Sequence, residues 1–98
     1  MILVRDIFQL KFGAMKPALD LWKEGQSFMR TNGNPPVRML TDLSGEYYTL
    51  VMESTFPNLT DFERERSSTT MPDGWRDWYQ QFSNLVQSGR REIFTIVQ

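Results

Sequence analysis

The chain contains no cysteine and no histidine. Without Cys it has no disulfide, no thiolate zinc site, no iron–sulfur ligation and no thiol nucleophile. Without His it lacks the usual imidazole base, the proximal haem ligand and any Ser-His-Asp arrangement. Any metal would rest on carboxylate oxygens alone, which suit Mg or Ca better than Zn or Cu. No metal-ligand cluster, Gly-rich phosphate loop or nucleophile elbow stands in the sequence. A protein with neither metal nor cofactor is therefore expected.

Neither sign of charge dominates. Eleven Lys and Arg face twelve Asp and Glu, for a net charge of −1. That is no electrostatic footprint for nucleic acid or an anionic membrane. No apolar run approaches the roughly 20 residues of a membrane span. The opening Met1-Ile2-Leu3-Val4-Arg5-Asp6 lacks the n-region and h-region of a signal peptide. A soluble cytoplasmic protein is the expectation. Six Gly and five Pro mark turns without forming a linker, and the 98 residues read as one domain, 1–98.

What is present is apolar and patterned. Hydrophobic residues make up 40% of the chain and aromatics 13%, which argues against disorder. Residues 2–12 alternate as a strand. Ile2, Val4, Phe8, Leu10 and Phe12 share one face, interrupted by Asp6. Leu3, Arg5, Ile7, Gln9 and Lys11 share the other. After Gly13 the period becomes helical over residues 14–31, with Met15, Ala18, Leu19, Trp22 and Met29 on one stripe. Residues 32–36, Asn-Gly-Asn-Pro-Pro, read as a stop and loop.

Residues 37–43 and 46–56 read as two strands joined by a turn at Ser44-Gly45, hence an antiparallel hairpin. Tyr47 and Tyr48 are expected on opposite faces of the second of these. A helix starts near residues 57–61, capped by Asn58 or Thr60, and residues 67–72 weaken or break it. Asp73 is expected to cap a further segment in which Trp75, Trp78, Tyr79, Phe82, Leu85 and Val86 recur at helical spacing. Gly89 suits the position just past that helix, and residues 91–97 form the last strand. The order is β-α-β-β-α-β with the second helix split, an α+β ferredoxin-like arrangement with a four-stranded antiparallel sheet.

In that arrangement helices cover one face of the sheet only. Both faces of several strands carry apolar groups, so a bare second face would expose a large apolar patch. A second copy packed sheet to sheet is the simplest cover, since two-fold dimers are the commonest oligomer.

The segments ILVRDIFQLKFGAMKPALDLW, YYTLVMESTFPNLTDFERE and WRDWYQQFSNLVQSGRREIFTIV together resemble the dimeric α/β-barrel superfamily, and more narrowly its NIPSNAP-like branch. The resemblance implies a homodimer whose two sheets close into a barrel, with a cleft between sheet and helices. Related branches include cofactor-free monooxygenases and haem enzymes. The haem branches depend on a histidine that this chain lacks.

Asp6 and Glu53 are the candidate catalytic carboxylates. A buried carboxylate would have a raised pKa and could act as a base. An ion pair serves either residue as well: Asp6 with Arg5, Arg38 or Arg91, and Glu53 with Arg38 on the neighbouring strand. Phe8, Trp22, Tyr48, Trp75 and Trp78 are the candidate ligand-binding residues. They could stack a flat apolar ligand, although the same spacing serves an ordinary core. The run Glu63-Arg64-Glu65-Arg66 reads as a solvated helix face. The expected function is binding of a small apolar molecule in a sheet–helix cleft. The alternative is a cofactor-independent monooxygenase acting on an aromatic substrate. A third is a dimer with packed interiors and no ligand site.

Overall fold

The alternating segment at the start of the chain forms strand β1, Ile2–Leu10, in a computed structural model that describes residues 1–31, 35–67 and 73–98. Helix α1 follows at Met15–Thr31, then strands β2 (Arg38–Thr41) and β3 (Thr49–Phe56). Two helices, α2 (Leu59–Arg66) and α3 (Trp75–Leu85), lead to strand β4 (Val86–Thr95). The strand order is β2-β3-β1-β4 and every neighbouring pair is antiparallel. This is the ferredoxin-like topology expected from the order of elements.

Period-two alternation decides which groups meet the helices. Val4, Asp6, Phe8 and Leu10 of β1 share that face with Leu50, Met52, Ser54 and Phe56 of β3. Phe8 meets Phe82 of α3 edge-on at 5.1 Å, and Phe56 meets Phe62 of α2 at 5.2 Å. The larger core gathers Leu10, Ala14, Ala18, Trp22, Leu50, Met52, Trp78 and Phe82. A smaller one joins Val4, Phe56 and Phe62.

The opposite face is not the continuous apolar patch expected of it. Leu3, Ile7, Leu40, Val51 and Phe94 alternate there with Arg5, Arg38, Glu53, Arg90 and Glu92. Arg5 Nε donates to Glu53 Oε2 at 2.8 Å, and Arg38 Nη2 to Glu53 Oε1 at 2.5 Å. The Arg5 guanidinium lies 5.2 Å from the centre of the Phe94 ring, and Ile7 and Glu53 are both buried on this face without helices.

Several boundaries differ from those the sequence suggests. Strand β1 ends at Leu10 rather than at residue 12, because the chain turns at Phe12-Gly13, where Gly13 has φ of 82°. Phe12 is left 84% exposed. Strand β2 is confined to Arg38–Thr41, and β3 starts at Thr49. Tyr48 has φ of 57°, in the left-handed region, so it belongs to the turn. Tyr47 and Tyr48 therefore do not alternate across a strand.

Asn58 is the N-cap of α2, its side chain accepting from Asp61 N–H. The cap of α3 is Gly74, at φ 88°, and not Asp73. Helix α3 stops at Leu85, and residues 86–90 are already strand, paired with β1. Gly89 is thus a strand residue opposite Phe8, where an added Cβ would come within 3.2 Å of the Phe8 ring. Of the stop assigned to residues 32–36, residues 32–34 lie outside the described residues, as do residues 68–72 of the break assigned to residues 67–72. Among the described residues, no helix is long and apolar enough to cross a membrane.

Candidate functional site

A cavity of about 800 Å³ lies between the helix-facing side of the sheet and the three helices. Its apolar wall follows from the 3.6 period of α3. Trp75, Trp78, Tyr79 and Phe82 fall at i, i+3, i+4 and i+7 and so share one side of the helix. Trp78 is stacked between Trp75, at 5.0 Å and 24°, and Phe82, at 5.7 Å and 12°. Its indole N–H donates to the Leu21 carbonyl at 2.5 Å, which locks the ring to α1.

Trp22 of α1 stands edge-on to Trp78 at 4.5 Å and to Phe82 at 5.4 Å. Gly25 makes this approach feasible, since a Cβ there would lie 2.4 Å from Trp78 Cζ2 and 2.8 Å from Trp22 Cε3. Trp22 is buried, yet its Nε1 has no hydrogen-bond partner among the described residues. An orphaned buried donor costs about 1–3 kcal/mol. Trp22 is among the residues that line the cavity.

The sheet contributes the polar end. Asp6 lies opposite Met52 on one side and Arg91 on the other. Arg91 Nε donates to Asp6 Oδ1 at 2.6 Å. The Arg91 guanidinium also sits 5.3 Å from the centre of the Phe62 ring, within cation–π range. Ser54, Glu65 and Arg66 complete this end. Burial, with the Asp61 carboxylate nearby as the lesser cause, pushes the Glu65 carboxyl above its ordinary value.

Of the residues singled out in the sequence, Asp6, Phe8, Trp22, Trp75 and Trp78 all line this cavity. Glu53 and Tyr48 do not. Glu53 belongs to the opposite sheet face, where it pairs with Arg38 as well as Arg5. Its carboxyl is held below the ordinary glutamate range, chiefly by the Arg38 hydrogen bond, with Arg5 adding to it and burial opposing. A carboxylate held ionised by two guanidinium groups is a poor proton acceptor near neutrality. Tyr48 lines a separate, smaller cavity at the end of the sheet.

Tyr79, which the helical spacing places with Trp75 and Trp78, also lines the cavity. Arg91, Phe62 and Phe82 join it without having been singled out as ligand-binding residues. Helical spacing was the available signal for Phe82. Arg91 needed the β1–β4 register, which spacing does not contain. Among the described residues no group of three or more His, Cys, Asp or Glu could hold a metal ion. Chemically, the site can accept a flat apolar body and offer a guanidinium–carboxylate pair at its polar end.

The fold recurs in solved structures. A NIPSNAP family protein from Agrobacterium tumefaciens is 19% identical, covering 99% of this chain and 93% of that one, with a TM-score of 0.86. A NIPSNAP-like domain protein from Burkholderia xenovorans is 15% identical over 99% of this chain and 85% of that one, with a TM-score of 0.88. SnoaB, a cofactor-independent oxygenase from Streptomyces nogalater, is 13% identical over 99% of this chain and 93% of that one, with a TM-score of 0.72. No curated protein matches the sequence. The NIPSNAP family model matches residues 5–98.

Proposed function

The chain belongs to the NIPSNAP family, and from that premise we propose that it binds a small, flat, mostly apolar molecule in the cleft between sheet and helices. The cleft carries this reading: a cavity of about 800 Å³ lined by Phe8, Trp22, Trp75, Trp78 and Phe82. A packed interior would not leave that volume. Titration of naphthol or naphthoquinone against the intrinsic fluorescence of the tryptophans tests it. Saturable quenching that Trp22→Phe weakens supports the reading. No saturable response from any flat aromatic probe would overturn it.

The same proposal includes a homodimer closed sheet to sheet. Support comes from the helix-free face and the adjoining edge strand. Phe94, which lies on that face opposite Leu3, remains 45% exposed. The charges on that face already satisfy one another through Glu53 and Glu92, so covering it would strand no unpaired charge. A monomer mass by light scattering at micromolar protein would sink this part alone.

A second reading is cofactor-independent oxygenation of an aromatic substrate. It draws on the fold shared with a cofactor-independent oxygenase, and on Asp6 lying within the aromatic cleft. Oxygen uptake with a panel of quinols, abolished by Asp6→Asn, would support it. Binding without uptake across the panel would leave a binding protein.

A further inference from the structure

At the other end of the sheet, three aromatic side chains line a second, open cavity of about 250 Å³. Its wall consists of Phe12, Met15, Thr41, Asp42, Tyr47 and Tyr48. We propose that this cage binds a small quaternary or alkylated ammonium compound, about the size of choline.

The three rings meet edge to face, with Phe12 in contact with both tyrosines. Phe12 stands nearly perpendicular to Tyr47, at 80° and 6.3 Å, and steeply inclined to Tyr48, at 65° and 4.7 Å. Phe12 and Tyr47 are 84% and 72% exposed. A soluble surface seldom presents two such rings together without a use for them. Ring faces carry negative potential, so a cation held against several of them is attracted by each. A neutral apolar guest gains no such term.

Asp42 supplies the countercharge. Its Oδ1 accepts from Thr49 N–H at 3.0 Å, which fixes the carboxylate beside the rings. None of the residues lining the cavity is basic. The wall therefore has three aromatic rings, a thioether and one carboxylate, which is the chemistry of a cation site and not of an anion site.

The turn that carries the two tyrosines is held by groups outside the cage. Tyr48 adopts φ of 57°, a costly conformation for a bulky residue. The Gln9 amide donates to the carbonyls of Tyr47, at 2.5 Å, and Tyr48, at 3.4 Å. Leu10 N–H donates to the Tyr48 carbonyl at 2.9 Å. Strand β1 thus fixes the strained turn from behind and leaves the rings outward.

The test is a chemical-shift titration of the intact chain with choline, beside dimethylbutanol, its uncharged isostere. Choline should shift Phe12, Tyr47 and Tyr48 at millimolar concentration, and bind about tenfold more tightly than the isostere. Phe12→Ala should weaken choline about two- to fivefold, and Asp42→Asn by a similar factor. Asn keeps the oxygen that accepts from Thr49, and Phe12 is exposed, so both variants should melt like the parent. Equal binding of choline and its isostere would overturn the proposal, because the cage would then be merely apolar. No shift at the three rings would overturn it too. A change of oligomeric mass in Phe12→Ala would make the rings a self-contact instead. Sedimentation with phosphatidylcholine vesicles, where free choline fails to shift the rings, would move the ligand to a membrane and reject the small-molecule assignment.

Discussion

Arg38 and Glu53 are direct cross-strand partners on β2 and β3, and their side chains join at 2.5 Å on the sheet face that carries no helix. Arg5 reaches the same carboxylate from β1 on the other side. Glu53 is only 6% exposed, so this two-sided pairing is what permits a charge at that depth.

Glu53→Gln should lower stability at pH 7 by about 1–2 kcal/mol, since it leaves two guanidinium groups without their shared carboxylate. The parent should also lose stability in acid. Glu53 has a folded-state pKa below its ordinary value of 4.5. Its contribution is therefore fully present above that value and is lost as pH falls through the lower, folded one. Urea unfolding at pH 7 and pH 3 checks both points. The gap between parent and variant should shrink at the lower pH.

Gly25→Ala should destabilise, against the usual trend for an exposed helix. Ala normally gains about 1 kcal/mol over Gly within a helix. Here the added Cβ meets Trp78 at 2.4 Å and Trp22 at 2.8 Å. Overpacking of that kind costs about 1–3 kcal/mol. A lowered melting temperature with an altered near-ultraviolet tryptophan signal is the expected outcome. A more stable variant would mean that the two indoles are loosely held.

Asp6→Asn should cost little stability, at most about 1 kcal/mol, because the Asp6–Arg91 pair is partly solvated. Its effect belongs in the cleft. Removing the carboxylate frees the Arg91 guanidinium and turns the polar end positive. Affinity for an aromatic carboxylate such as naphthoate should rise severalfold, while a neutral probe of the same shape should be unchanged. Fluorescence titration of the two probes separates charge from shape.

Asn58→Ala should cost about 1 kcal/mol. The Asn58 side chain accepts from Asp61 N–H at 2.8 Å and is the N-cap of α2. That helix holds Phe62 against Phe56 in the smaller core. Asn58→Asp should retain the cap and melt near the parent.

Much of the fold was legible in local pattern. The alternation of residues 2–12 marked the strand that runs over Ile2–Leu10, and the stripe Met15, Ala18, Leu19, Trp22 marked a helix. Both patterns arise because the two backbone geometries repeat at fixed periods. The family resemblance read from the opening, middle and closing segments agrees with the family match over residues 5–98. The spacing of Trp75, Trp78 and Phe82 pointed to one shared side of a helix, and that side became a wall of the cleft.

The start of β4 was not legible. Gln87, Ser88, Gly89 and Arg90 have little intrinsic strand preference, yet they extend because β1 offers them a hydrogen-bonded edge. Tyr48 shows the same limit, since nothing in its own side chain favours a left-handed φ. Gln9 and Leu10, distant in sequence, hold it there.

The sequence by itself determined the element types, their order and the excluded chemistries, because absence of Cys and His and the periods of two and 3.6 are local properties. Which carboxylate faces the cleft was decided only in three dimensions. Asp6 and Glu53 looked alike as acids among apolar neighbours, but they occupy opposite faces of one sheet. Side-chain direction alternates along each strand, so the register between strands and the side on which the helices pack decided their surroundings. Asp6 received Arg91 and an aromatic cavity, and Glu53 received two arginines and none of the cavity.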